Sequence, residues 1–268
     1  MTDVAKDSST PFSELIGAAH REAGGLLFSV PGDWMQGRTT YGGLSTALAL
    51  EAAVAQHDDL PPLRSANVSF LGPAGGDVRA TSRVLRRGRS VSFIEADVEC
   101  EGKLATRCVF AFGASRQSAH ERRFVNVPEV PAAEDCESYI SGPLAPRFTG
   151  HFESRLARGG RPMSSSKHSE HLIWVRHRDP NAKGLPALLA VADMPPPAIM
   201  PMFSAPAPIS SMTWLVNVVD SSPSTDGWWL LLTRAEHAAD GYSSQDMFVW
   251  NSDGNLAATG RQSIAIFA

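Results

Sequence analysis

The sequence predicts an α+β chain built from two copies of one unit, each an apolar helix wrapped by a curved antiparallel sheet. Three observations carry this prediction. Residues 44–56 and 184–193 are alanine- and leucine-rich and apolar around most of a helix circumference, so each stretch has to be enclosed rather than laid on a surface. Each is followed by runs of β-type residues separated by turn chemistry. Each half also closes with an acid-Gly turn feeding a last strand, Glu101-Gly102-Lys103-Leu104-Ala105 in the first and Asp253-Gly254-Asn255-Leu256-Ala257 in the second.

The first unit opens with an apolar segment at 26–30 and a Gly-rich turn at 37–43. The helix that follows carries a single charge, Glu51, and is stopped by His57, Asp58, Asp59 and the Pro61-Pro62 pair. Proline cannot continue a helix and excludes the preceding residue from helical geometry. Strands are expected at 65–71, 77–85, 90–100 and 104–112, with turns at Gly72-Pro73, Arg87-Gly88 and Glu101-Gly102. The third of these alternates with a period near two and slips around Ile94. Residues 115–147 lose the periodicity and read as a linker. The expected organisation is therefore an N-terminal domain at 1–114, a linker at 115–147 and a C-terminal domain at 148–268. In the latter, segments at 151–156 and 171–177 precede the helix, Pro195-Pro196-Pro197 ends it, and strands follow at 212–219, 228–235, 247–250 and 256–267.

Composition narrows the function classes. With 268 residues, 43% hydrophobic and 19% charged, the chain can bury a large core and is not a disordered protein. No run of about 18 uncharged apolar residues exists to span a bilayer. The N-terminal ten residues hold two acids and one lysine with no apolar stretch behind them, so no signal peptide is expected and the cytoplasm is the expected compartment. A net charge of -4 gives no global attraction to nucleic acid or anionic lipid. Cys100, Cys108 and Cys136 are an odd count without metal-ligand spacing and read as reduced thiols. His168, His171 and His177 do not suggest a metal site, because strand residues three apart point to opposite faces.

A buried helix held inside a curled antiparallel sheet, occurring twice, resembles the hotdog fold in its duplicated form, and the motifs are similar to those of the acyl-CoA thioesterase II family. The residues that carry the resemblance are Gly37-Arg38-Thr39-Thr40-Tyr41-Gly42-Gly43 opening the first helix and Arg89-Ser90-Val91-Ser92-Phe93 opening a strand. In the second half they are Glu170-His171-Leu172-Ile173-Trp174-Val175-Arg176, Ala190-Val191-Ala192-Asp193, and Asp253-Gly254 through Gln262. The resemblance implies a double hotdog that hydrolyses acyl-CoA to free acid and coenzyme A, without a cofactor, using a water held by an Asp, a Gln and a hydroxyl.

Asp193 matches the family's Asp at the end of the second helix, and Gln262 matches its Gln in the last strand. The hydroxyl belongs early in the strand after the helix, where Ser210, Ser211 and Thr213 stand. Counting back from Trp214 reaches Pro208, whereas aligning on Asn217 puts Ser211 and Thr213 on the relevant face, and Ser211 is taken as the third group. The residues themselves suit these roles. Asp193 lies between an apolar helix and three prolines, where loss of solvation raises a carboxyl's pKa, and the Gln262 amide offers two donors and one acceptor. Aligned through the repeat, Asp193 falls opposite Ala52 and Gln262 opposite Phe110, so one reaction site per chain is expected.

The resemblance to hotdog folds also implies that backbone N–H groups at the start of the first helix border the thioester and contribute to a carbonyl pocket. Arg86, Arg87 and Arg89 form a basic turn that is either a solvated hairpin tip or a contact for coenzyme A phosphates. No G-x-S-x-G elbow is present, which favours direct attack by water over a serine acyl-enzyme. Hotdog sheets leave surfaces that pair, so a homo-oligomer is expected, with the apolar strand at 228–232 as candidate contact through one face while the other packs internally. Two alternatives stay open: a non-catalytic acyl-CoA or lipid-binding module, and a hotdog dehydratase or hydratase, which would want a histidine that the helix start lacks.

Overall fold

One continuous antiparallel sheet of 13 strands forms the frame, with two long apolar helices against its inner face. The computed structural model describes residues 9–22, 24–140, 142, 145–223 and 227–267. Most of the N-terminal segment expected to lack a leader, residues 1–8, lies outside the described residues. The first half holds α1 (Phe12–Gly17), β1 (His20–Glu22), β2 (Gly25–Val30), a small ladder of β3 (Met35–Gln36) with β4 (Thr39–Thr40), and α2 (Gly42–Gln56). It continues with β5 (Leu63–Phe70), β6 (Gly76–Arg87), β7 (Val91–Cys100) and β8 (Lys103–Gly113). Then come β9 (Glu137–Ser138), β10 (Phe152–Gly159), β11 (Glu170–His177), α3 (Gly184–Ala192), β12 (Ile209–Val218), β13 (Trp229–Ala239), β14 (Tyr242–Trp250) and β15 (Leu256–Ile266).

The strand order is β1-β2-β6-β7-β8-β5-β12-β15-β14-β13-β11-β10-β9. Read outward from the central β5–β12 pair, β8, β7, β6 and β2 on one side answer β15, β14, β13 and β11 on the other, which is the duplication expected from the sequence. The halves join through backbone pairing of β5 with β12, Leu215 lying opposite Asn67.

Helix α2 is buried from Gly43 to Leu50 and again at Ala52 and Ala53. Leu44, Leu48 and Leu50 are at most 1% exposed, and burying each contributes roughly 2 kcal/mol. Helix α3 is buried from Ala187 to Ala192 and packs against α2. Glycine permits this contact: a Cβ on Gly43 would sit 3.0 Å from the Ala190 carbonyl oxygen and 3.1 Å from its Cα. The N-terminal end of α2 is thereby set beside the C-terminal end of α3.

Two sequence expectations need correction. The strand expected at 247–250 begins five residues earlier, at Tyr242. The apolar strand expected to offer a surface to another subunit is covered by the chain itself. Trp229 to Leu231 are at most 1% exposed, and Leu230 and Leu232 pack with Leu172 and Trp250 beneath Val130. The same segment accepts the Trp174 indole N–H at the Pro131 carbonyl, 2.9 Å away. Both faces of the strand carry large apolar side chains because both are internal.

Candidate active site

Asp193 is the residue that ends α3, with φ -97° and ψ 5°. The prolines that follow prevent another helical turn and leave its carboxylate at the helix terminus. Alone, that position is unfavourable, because the negative end of its own helix dipole faces it. The start of α2 compensates. Tyr41, at the N-cap position, gives α2 no side-chain cap, and the backbone N–H of Gly43 donates to the Asp193 carboxylate instead. An acid from the second half thus caps the helix of the first. Gly42 leaves the room required: a Cβ there would lie 2.7 Å from Asp193 Oδ2 and 2.6 Å from the Phe70 ring.

Gln262 lies in β15 between Trp214 of β12 and Gln245 of β14, its cross-strand partners. Only 3% of it is exposed, and its Nε2 donates to Asp193 Oδ1. Its Oε1 accepts a hydrogen bond of 3.0 Å from Gln245 Nε2, and Gln245 Oε1 accepts one of 2.7 Å from the Ala198 backbone N–H. The sequence reading missed Gln245. Counting back along the hairpin from Gln262 through Asp253-Gly254 would have paired the two residues, had β14 been recognised at full length.

Burial pushes the Asp193 carboxyl up to about 7, opposed by the hydrogen bonds from Gln262 and Gly43, so it titrates near neutrality. Tyr41 closes the other side. Its hydroxyl donates to the Ala190 carbonyl at 3.2 Å, and burial, followed by the charge of Asp193, holds the phenol well above its ordinary pKa. It remains a neutral donor.

Ser211 stands where a bulge at Met212 shifts the register, pairing Ser211 with Ile264 and Trp214 with Gln262. Its side chain therefore faces the sheet side that carries Gln262 and the wholly buried Ile264. Among the described residues no hydrogen bond joins its hydroxyl to Asp193 or Gln262. The geometry brings Asp193 and Gln262 together directly and sets Ser211 along the same face.

The first half has the same positions filled by hydrocarbon. Aligned through the repeat, Phe110 answers Gln262 and Ala52 answers Asp193, although α2 runs on to Gln56, and Ile94, the cross-strand partner of Phe110, answers Gln245. All three are 0% exposed. Arg87 donates to the Asp58 carbonyl at 2.7 Å, just past the far end of α2. That helix has 15 residues and spans about 22 Å, so the basic turn is well removed from Asp193. A cavity of about 650 Å3 opens between the N-terminal segment and Arg178–Asn181, lined by Phe12, His151 and His177; neither Asp193 nor Gln262 borders it. Among the described residues, no cluster of three or more His, Cys, Asp or Glu side chains is disposed to hold a metal ion, and no helix is long and apolar enough to cross a membrane.

The family model of the acyl-CoA thioesterase C-terminal domain matches residues 125–266, and that of the acyl-CoA thioesterase N-terminal domain matches residues 30–113. No curated protein matches the chain. Among solved structures, a hot dog fold protein of unknown function from Alicyclobacillus acidocaldarius superposes with a TM-score of 0.87 at 23% identity, covering 96% of this chain and 98% of that one. The acyl-CoA thioesterase II TesB2 of Mycobacterium marinum gives 0.77 at 17% identity, with 95% and 98% covered. The tesB protein of Mycobacterium avium subspecies paratuberculosis gives 0.75 at 15% identity, with 95% and 97% covered. At these identities the structural matches establish a shared double hotdog fold.

Proposed function

The chain belongs to the acyl-CoA thioesterase family, and from that membership we propose that it hydrolyses acyl-CoA to a free acid and coenzyme A by direct attack of water. The observation that carries this reading is the meeting of Asp193, Gln262 and the N-terminal end of α2 at one point between the halves, against Ala52 and Phe110 at the matching places of the first half.

In this reading the ionised Asp193 carboxylate accepts a proton from a water whose oxygen attacks the thioester carbon. Gln262 holds the carboxylate from one side, and Ser211 orients the water from the same sheet face. The positive end of α2 faces the oxyanion as it develops. When the tetrahedral intermediate collapses, the C–S bond breaks and the proton held by Asp193 passes to the departing sulfur. No cofactor takes part. The remaining expectations, a homo-oligomer in the cytoplasm and the division into 1–114, 115–147 and 148–268, go with this reading.

The non-catalytic alternative is discriminated by experiment. Free thiol release over a panel of acyl-CoA chain lengths is expected to exceed the protein-free rate for at least one chain length. Tight acyl-CoA binding with no release would point to a binding module. A dehydratase is disfavoured because Tyr41, Gly42 and Gly43 occupy the start of α2, with no histidine to act there.

A further inference from the structure

A glutamine amide has nearly the same shape in either of its two flips, so its partners decide which end faces which neighbour. Gln262 meets Asp193 with its nitrogen. The reverse flip would set two acceptors against each other in a buried site and leave the carboxylate without that donor.

The same choice is enforced from two residues away, whether or not Asp193 is ionised. The Ala198 backbone N–H can only donate, so the Gln245 atom beside it, 2.7 Å away, has to be the oxygen. The nitrogen of Gln245 then faces Gln262 at 3.0 Å and has to meet the Gln262 oxygen. That leaves the Gln262 nitrogen for Asp193. Gln245 is 1% exposed and Gln262 3% exposed, so bulk water cannot substitute for a missing link. Ala198 belongs to the segment that leaves α3 at Asp193, which closes the relay on itself.

The fold does not require a polar residue at this place. In the first half Ile94 occupies the corresponding position of β7, wholly buried against Phe110. At this position the half that carries Asp193 has a buried amide and the other half a hydrocarbon.

We propose that Gln245 is a positioning residue, which relays the direction of the Ala198 N–H to Gln262 and so fixes the Gln262 nitrogen toward Asp193. Its meaning for catalysis rests on the thioesterase reading, but the relay itself can be read without activity.

The test uses the full chain with carboxyl-13C aspartate and follows the titration of Asp193 by NMR, assigned with Asp193→Asn. The variants are Gln245→Ile, which copies the first half, and Gln245→Met, which keeps an unbranched chain. Tyr41 is the titratable side chain that faces Asp193 from α2, and it stays neutral across the range. Loss of one charge-directed hydrogen bond should raise the Asp193 midpoint by about one pH unit in both variants. Gln262→Ala should raise it similarly, and Gln245→Ile should add nothing in that background, because the two act in series. An unchanged midpoint in a folded Gln245 variant overturns the relay, and so does a further rise on top of Gln262→Ala. Thiol release is measured on the same samples, where the variants should lose kcat about tenfold with KM within about twofold. Absence of release from the unsubstituted protein defeats the thioesterase reading, while the titration still decides the relay.

Discussion

The backbone N–H of Gly43 donates to the carboxylate of Asp193, so a side chain from the second half finishes a helix of the first. One contact therefore serves two purposes. It satisfies an orphan donor at the start of α2, and it puts a carboxylate where a helix dipole favours its charged form. Burial acts in the opposite direction and is the larger effect, leaving the group balanced near neutrality.

That balance has a stability consequence. The folded-state value of about 7 lies above the value of about 3.9 for an unfolded aspartate. The stabilisation is thus complete below about pH 4 and is lost as pH rises through 7, because ionising the buried group opposes folding. Asp193→Asn keeps the shape and an acceptor oxygen but cannot ionise. The variant should be more stable than the unsubstituted protein at pH 8, by on the order of 1–3 kcal/mol, with the difference vanishing near pH 4. Urea denaturation at the two pH values measures this.

Activity should have an acid limb at the same place. The proton acceptor has to be charged, so kcat is expected to rise with pH through about 7 and level off above it. Gln262→Ala removes a hydrogen bond that lowers the Asp193 pKa, so its limb should lie at higher pH than that of the unsubstituted protein. A pH–rate profile with no limb between 6 and 8 would show that another group controls the proton.

Two histidines contribute strongly to the acid stability. Burial lowers His171 to about 3 and His177 to about 4, whereas both take protons near pH 6.5 in an unfolded chain. Between those values the unfolded state binds more protons, so stability falls as pH drops below about 6.5. Each histidine contributes on the order of 1 kcal/mol per pH unit to that slope. His177→Gln, which can still donate to the Ala187 carbonyl now 3.0 Å from Nε2, should reduce the slope between pH 6 and 4.5 in denaturation experiments.

The glycines at the start of α2 separate packing from chemistry. In Gly43→Ala the new methyl meets the buried Tyr41 ring at 2.6 Å and the Ala190 backbone at 3.0–3.1 Å, which neither helix can easily relieve, so a stability loss of about 1–3 kcal/mol is expected. In Gly42→Ala the methyl meets the Phe70 ring and Asp193 Oδ2, two side-chain ends that can turn away. Activity should therefore fall more than stability in Gly42→Ala, and stability at least as much as activity in Gly43→Ala. Melting temperatures and initial rates on the same preparations distinguish the two.

The duplicated architecture was legible because it is written in apolar periodicity. The α2 and α3 segments, the acid-Gly hairpins and the β runs all follow rules that relate burial to sequence. The pairing of Asp193 with Gln262 was legible through the family pattern and the repeat. Gln245 was not, for a physical reason. The buried positions at the start of β14 are Ser243 and Gln245, and the half-buried ones are Ser244 and Asp246, so inside and outside are both polar and the alternation that marks a strand disappears. A reading based on hydrophobicity fails where the interior has been made polar, which is at the site. The outer face of β13 misled in the opposite sense. Its leucines read as a surface for another subunit, because the sequence alone does not show Val130 and Pro131 lying over that region of the sheet.

The most direct measurement is single-turnover thiol release from an acyl-CoA with the unsubstituted protein, Asp193→Asn and Gln262→Ala, each checked for native circular dichroism. The expected result is release by the unsubstituted protein and a loss of about a hundredfold or more in both variants. Release at the unsubstituted rate in both folded variants would contradict the assignment of the reaction to the place where the two halves meet.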